Sequence, residues 1–242
     1  MKKIVYKLGL PYFILFLFLL LHIPVIFGKS TDFKIKSITI ESKSSSMTLY
    51  KRLSLDSMGL SLDAYKYAIQ GYENLKRQGK FTSTNIITVI DFTKPSYEKR
   101  LFVIDLNQPA LLFNTYVAHG QQSGKLFAEK FSNTPSSYQS SLGFYETKEP
   151  YIGKHGYSLE INGLEKGFND KADARAIVVH GAAYVSEGFI KMQGYLGRSW
   201  GCPAIPDKLS KPVIDVIKSG TCMFIYARDN NYISHSTLLQ GA

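Results

Sequence analysis

The stretch GRSWGCPAIP, residues 197–206, holds Cys202, one of two cysteines in the chain. Glycine, proline and alanine crowd around it, in the kind of turn that displays reactive groups. A cysteine attacks only as thiolate, and a neighbouring histidine generates one. His180 ends the β-rich run AIVVHG and is followed by Gly181. A strand end would hold its ring. Gly181 would let the backbone turn sharply and bring a carbonyl round to orient the imidazole. Cys202 follows 22 positions later, which leaves room for a loop that returns to the same place. Gly201 allows close approach of a substrate. The amides of Gly201 and Cys202 are candidate donors to a developing oxyanion, and Pro203 has no amide hydrogen to give.

His119-Gly120 in YVAHG and His155-Gly156 in GKHG have the same local look. Local sequence does not choose among the three histidines; only the pairing with Cys202 favours His180. The histidines form no H-x-x-x-H or H-E-x-x-H pair and the cysteines no C-x-x-C, so no metal site is expected. There is no G-x-S-x-G elbow and no glycine-rich phosphate loop. Arg198, just before Ser199, is a candidate clamp for a substrate carboxylate. Tyr184, Lys154 and Tyr157 are candidate pocket walls.

The elements around these residues are mostly strands. NIITVIDF, RLFVIDL, LLFNTYVAHG, SLGFYET, YSLEING, AIVVHG and TCMFIYA are short β-rich runs separated by turn residues, which predicts a compact, mostly β domain. LSLDAYKYAIQGYENLKRQGK places apolar residues at helical spacing, with Gly79 as a stop. DKLSKPVIDVIKSG reads as a second helix beginning near Pro206-Asp207. The expected organisation is a leader over 1–28, a spacer and helical segment over 29–82, and the catalytic-looking domain over 83–242.

Residues 1–28 carry three lysines, no acid and an apolar run from about Leu8 to Phe27. That is the grammar of an export signal, or of an uncleaved signal anchor that would tether the chain to a membrane. Either puts the rest of the chain in the periplasm or cell envelope. The whole sequence of 242 residues carries a net charge of +10. Without the three lysines of 1–28, 26 basic residues face 19 acidic ones, a net of +7. Such a domain suits an anionic partner, or has a solvated surface and no such partner. The export signal and the lack of a nucleic-acid motif argue against nucleic acid.

VVHGAAYVSEGFIKMQGYLGRSWGCPAIP resembles the active-site region of the L,D-transpeptidases of the bacterial cell wall. Those domains place His-Gly at a strand end, then a variable loop, then Ser/Thr-His-Gly-Cys. His180, Gly181, Ser199, Gly201 and Cys202 match. Trp200 stands in place of the second histidine and Ala204 in place of a common arginine or asparagine. The resemblance extends over roughly residues 64–206. It implies an L,D-transpeptidase-like β-sandwich or barrel with a few short helices and an N-terminal helical segment, acting as a monomer without metal or organic cofactor. It also implies the reaction. Cys202 would attack the third residue of a peptidoglycan stem tetrapeptide and release D-alanine, leaving a thioester. An amine acceptor then gives a 3→3 crosslink; water gives L,D-carboxypeptidase trimming. His180 would be the base, its tautomer fixed by a carbonyl near Gly181 or Ser199. Trp200 would wall the pocket, and Arg198 would stand in for the missing post-cysteine residue.

Other readings fit less well. Papain-like enzymes place cysteine before histidine. A sortase-like site would end on Thr-x-Thr-Cys, and only Arg228, after a late strand, speaks for it. The non-enzymatic alternative is an exported cell-wall binding module with a Cys202–Cys222 disulfide, since two cysteines in an oxidising compartment can pair. Cys222 in TCMFIYA reads instead as a packed strand residue. The enzyme requires a free thiol at Cys202, expected to alkylate faster than an ordinary cysteine.

Overall fold

A single eight-stranded sheet positions the site. The computed structural model describes residues 46–81 and 84–240, so the leader expected over 1–28 and much of the spacer lie outside the described residues. The strands are β1 (Ile86–Asp91), β2 (Leu101–Asp105), β3 (Ala110–Thr115), β4 (Gly143–Gly153), β5 (Gly156–Gly163), β6 (Val178–Ala182), β7 (Ala204–Pro206) and β8 (Cys222–Tyr226). Their order is β3-β2-β1-β8-β4-β5-β6-β7. β8, late in the chain, runs parallel to β1 and antiparallel to β4 at the centre of the sheet. It is buried throughout, which explains its continuous apolar sequence.

The two ends of the sheet curl towards each other. Ala118, just beyond β3, bridges Ala204 in β7, and Gly120 bridges Ser199. The Ala118 amide donates to the Ala204 carbonyl at 2.8 Å, and the Ser199 amide to the His119 carbonyl at 3.0 Å. The sheet is therefore nearly closed, and the cysteine loop lies along the seam.

Helix α1 (Leu62–Arg77) begins where the Ser61 hydroxyl accepts from the Ala64 amide. Asp63 in its first turn and Lys76 and Arg77 in its last suit the helix dipole. Gln78 caps its end, and Gly79 follows with φ +81°, a conformation glycine adopts freely. Its buried face includes Tyr65, Ala68, Ile69, Tyr72 and Leu75. At Gly71 the helix meets the Phe144 ring so closely that a Cβ would lie 2.0 Å from its Cζ. Phe144 stacks in turn on Phe224 of β8 at 4.2 Å. Helix and sheet thus share one core, and the described residues form one compact unit.

Helix α2 (Glu187–Gln193) follows Ser186, whose hydroxyl accepts from the Phe189 amide. Helix α3 (Asp207–Ile217) begins after Pro206, and α4 (Asn230–His235) after Asp229. A buried carboxylate ties the last of these down. Glu165 accepts from the Phe144 amide, the Tyr232 hydroxyl and the Ser236 hydroxyl. Burial raises its pKa, and those three donors oppose the rise. α1 and α3 lie where the sequence predicts helices. α2, α4 and β7 were not read from it, and β4 runs six residues past the predicted SLGFYET. Among the described residues no helix is long and apolar enough to cross a membrane.

Candidate active site

β6 and β7 run side by side in parallel, with His180 opposite Ala204 and Gly181 opposite Ile205. Cys202 lies two residues before Ala204, so the register brings the nucleophile candidate beside the first half of β6. Its thiol is 3.8 Å from the Ala176 carbonyl and accepts from the Val178 amide. Ala176 holds φ +52°, a conformation costly for a residue with a Cβ. Strained backbone therefore lies directly against the thiol.

His180 is buried, with 3% exposure. Its Nδ1 lies 2.8 Å from the Gly181 carbonyl. A carbonyl only accepts, so Nδ1 carries the hydrogen and Nε2 is left with a free lone pair. Among the described residues Nε2 has no hydrogen-bond partner. Burial lowers the proton affinity of His180. The Gly181 carbonyl and Asp207 raise it; His155 and Lys154 lower it further. Gly181 is tightly enclosed, since a Cβ there would meet Asp207 Oδ1 at 2.8 Å.

Ser199 and Gly201 shape the turn that carries Cys202. The Ser199 hydroxyl donates to the Cys202 carbonyl at 2.6 Å and accepts from the Gly201 amide at 3.1 Å. Gly201 sits at φ +121°, and a Cβ would stand 2.8 Å from the Gln139 carbonyl, so glycine is required there. The Gly201 amide is committed to Ser199. Of the two expected oxyanion donors, the Gly201 amide is thus taken, which leaves the Cys202 amide as the candidate.

Several expectations change. Burial pushes the Cys202 thiol up, although the Val178 amide, Arg175 and Lys154 pull it down. Desolvation disfavours the thiolate, the opposite direction to the low thiol pKa on which the expected fast alkylation rests. Arg198 donates to the Gln121 and Gly124 carbonyls, so its guanidinium pins the neighbouring loop. Trp200 is 64% exposed and stands at the rim, tilted against Tyr138 at 5.5 Å, instead of forming a buried wall. The Tyr184 phenol is pushed up to about 12 by burial and, less, by Cys202 and Asp207. Tyr157 hydrogen-bonds Asp215.

Two positions were not singled out for the roles they take. Arg175 donates to the Ser132 and Gln139 carbonyls at 2.7 and 2.6 Å and to the hydroxyls of Ser137 and Ser141. It stitches the 132–141 loop beside Cys202, through partners more than 30 residues away that no local pattern reveals. His155 stacks on His180, with ring centroids 4.3 Å apart.

Both cysteines are free. Cys222 is fully buried in β8, and burial pushes its thiol far up. β8 and β7 are four places apart in the sheet order, and the disulfide of the binding-module reading is not formed. Among the described residues no three His, Cys, Asp or Glu side chains gather to hold a metal ion.

A family model described as the L,D-transpeptidase catalytic domain matches residues 56–226. The chain belongs to the L,D-transpeptidase family. The match takes in helix α1 as well as the whole sheet, and the mostly β, nearly closed architecture is the fold expected from the sequence resemblance. A comparison with curated proteins gives no significant match. Among solved structures the chain is similar to an L,D-transpeptidase from Mycobacterium smegmatis, at 13% identity over 59% of each chain with a TM-score of 0.36. It spans only that 59% of the mycobacterial chain. An L,D-transpeptidase from Xylanimonas cellulosilytica is 13% identical over 64% of this chain and 68% of that one, with a TM-score of 0.34. One from Stackebrandtia nassauensis is 12% identical over 76% and 77%, with a TM-score of 0.37. In this L,D-transpeptidase-family chain, Trp200 and Ala204 remain the departures from the active-site pattern.

Proposed function

We propose that the protein is an exported, cysteine-dependent peptidoglycan L,D-transpeptidase that acts on stem tetrapeptides. One observation carries the reading beyond family membership. The Gly181 carbonyl fixes the hydrogen on His180 Nδ1, leaving Nε2 as a base on the strand whose first residue, Val178, meets the Cys202 thiol. The thiol with a raised pKa and the imidazole with a lowered one rest as a neutral pair. Proton transfer therefore belongs to the attack itself.

In the proposed reaction the thiol leaves the Ala176 carbonyl and gives its proton to Nε2. The sulfur bonds to the carbonyl carbon of the third stem residue. The Cys202 amide faces the resulting oxyanion. Collapse breaks the bond to D-alanine, whose amine takes the proton from His180, and a thioester remains. An acceptor amine, or water, loses a proton to Nε2 and displaces the sulfur, which recovers it. An amine gives the 3→3 crosslink; water gives the trimmed tripeptide. The Arg175 and Lys154 charges near the sulfur favour the thiolate-like transition state and the carboxylates of the substrate. The basic, lysine-led N-terminus supports export, with residues 1–28 as signal or anchor and the domain working as a monomer.

The test is incubation of the full-length protein with a disaccharide-tetrapeptide, followed by intact mass and product analysis beside Cys202→Ser. The expected outcome is loss of D-alanine with wild type only, and a transient adduct on Cys202. Turnover by Cys202→Ser would sink the mechanism. The product, dimer or tripeptide, separates transpeptidase from carboxypeptidase.

A further inference from the structure

The reaction proposed above uses the two nitrogens of His180 and leaves its ring face to another element. β4 and β5 form a hairpin that closes at Gly153 and Gly156, and its tip lies against the site. His155 stacks on His180 with 4.3 Å between centroids and 21° between planes. Beside it, Lys154 Nζ stands 5.6 Å over the Trp200 ring. One hairpin tip therefore touches both halves of the site: the histidine on β6 and the residue two before Cys202. His155 and Lys154 are otherwise exposed. The hairpin ladder, running from Tyr145↔Gly163 to Gly153↔Gly156, does not need these side-chain contacts to form.

A buried ring whose one hydrogen bond is made through Nδ1 can still tilt about that bond. A second ring laid on its face removes this freedom. The two restraints together fix where Nε2 points, and a base misplaced by about 1 Å loses much of its effect. We propose that His155 is a positioning residue for acyl transfer, holding the His180 imidazole in its working orientation through the stacked hairpin tip. The inference rests on the reading of His180 as the base. The charged and titratable groups facing His180 are His155 and Lys154 from the hairpin and Asp207 from the start of α3. The hairpin pair opposes the imidazolium and Asp207 favours it, so the same tip that orients the ring also keeps its proton easy to give away.

Full-length wild type, His155→Ala, His155→Phe and Lys154→Gln separate these effects. The first readout is the NMR titration of the His180 ring without substrate. His155→Ala should raise its midpoint, because a neighbour that disfavours the imidazolium and a ring that covers it are both lost. The second is turnover of the disaccharide-tetrapeptide. His155→Ala should lower kcat about tenfold with KM within about twofold, and His155→Phe, which keeps a stacking face, should recover kcat to within about threefold of wild type. Lys154→Gln keeps the ring and should retain more kcat than His155→Ala, and it serves as the second variant should the alanine protein melt early. An active wild type whose His155→Ala variant has the same midpoint and the same kcat would overturn the stack alone. So would a folded His155→Phe as slow as His155→Ala. A wild type inert towards the muropeptide would overturn the functional reading itself, a distinct result.

Discussion

His119 and His180 look alike in the sequence and behave oppositely in the fold. Each ends an apolar run and precedes a glycine, in YVAHG and IVVHG. His119 is fully buried and both its nitrogens are committed. Arg100 donates to Nδ1 at 2.8 Å, and Nε2 faces the Gly124 carbonyl at 3.3 Å. Burial and the Arg100 charge hold its pKa down at about 3. Arg100 is itself fully buried, lowered to about 9 by that burial. It also donates to the Val117 and Lys94 carbonyls and covers the Phe92 ring at 4.8 Å. His180 spends one nitrogen on a carbonyl and keeps the other free. A structural histidine is one whose lone pair already has a donor; a candidate base is one whose lone pair does not.

Replacing each histidine should break the pair in different observables. His180→Ala should lower turnover by about 10²–10⁴-fold and leave the unfolding midpoint nearly unchanged, as chemical denaturation would show. A mutant with wild-type rates would remove His180 from the mechanism. His119→Phe should do the reverse. It strips a partner from buried Arg100 and should cost about 1–3 kcal/mol of stability, with turnover per folded molecule retained.

The same contrast has a pH signature. The unfolded His119 binds a proton below its ordinary value near 6.5, and the folded one only near 3. Between these values the unfolded state holds more protons, so stability falls as pH drops from about 6.5 towards 3. The loss should reach on the order of a few kcal/mol and should shrink in His119→Phe. Denaturation midpoints at pH 7 and pH 4 for both proteins test this; parallel pH dependences would refute it.

Gly181→Ala sharpens the comparison from the other side. Its Cβ would crowd Asp207 and Ser210, shifting the carbonyl that orients His180. A roughly tenfold fall in kcat with a stability loss of about 1 kcal/mol is expected. The smallest effect belongs to the other cysteine. Cys222→Ala should leave turnover per folded molecule unchanged and cost about 1 kcal/mol from a fully packed strand. Inactivity in a folded Cys222→Ala protein would contradict the free-thiol arrangement.

These contrasts also mark what was legible. α1 could be read from its spacing and from Gly79, and the central strands from their apolar runs, because burial on both faces leaves a continuous signature. The mostly β fold was legible through the family resemblance, which also suggested the pairing of His180 with Cys202. β7 was hidden because three residues after a proline carry no period. The difference between the two histidines was hidden because the partner that occupies His119, Arg100, is remote in sequence. Arg198 read as a substrate clamp since its position was visible and the carbonyls of Gln121 and Gly124 that occupy it were not.

The central place of β8 has a consequence for how the chain comes to exist. β1 and β4 have no direct pairing with each other; β8 is inserted between them and arrives only after residue 221. Until then β1 and β4 present raw edges, open to any strand that meets them, and only the Ala118–Ala204 and Gly120–Ser199 bridges can join the two half-sheets. A chain emerging N-terminus first would thus stay loose until β8 emerged. A nonsense mutation or proteolytic cut before β8 would open the sheet at its centre and leave β1 and β4 without their shared partner.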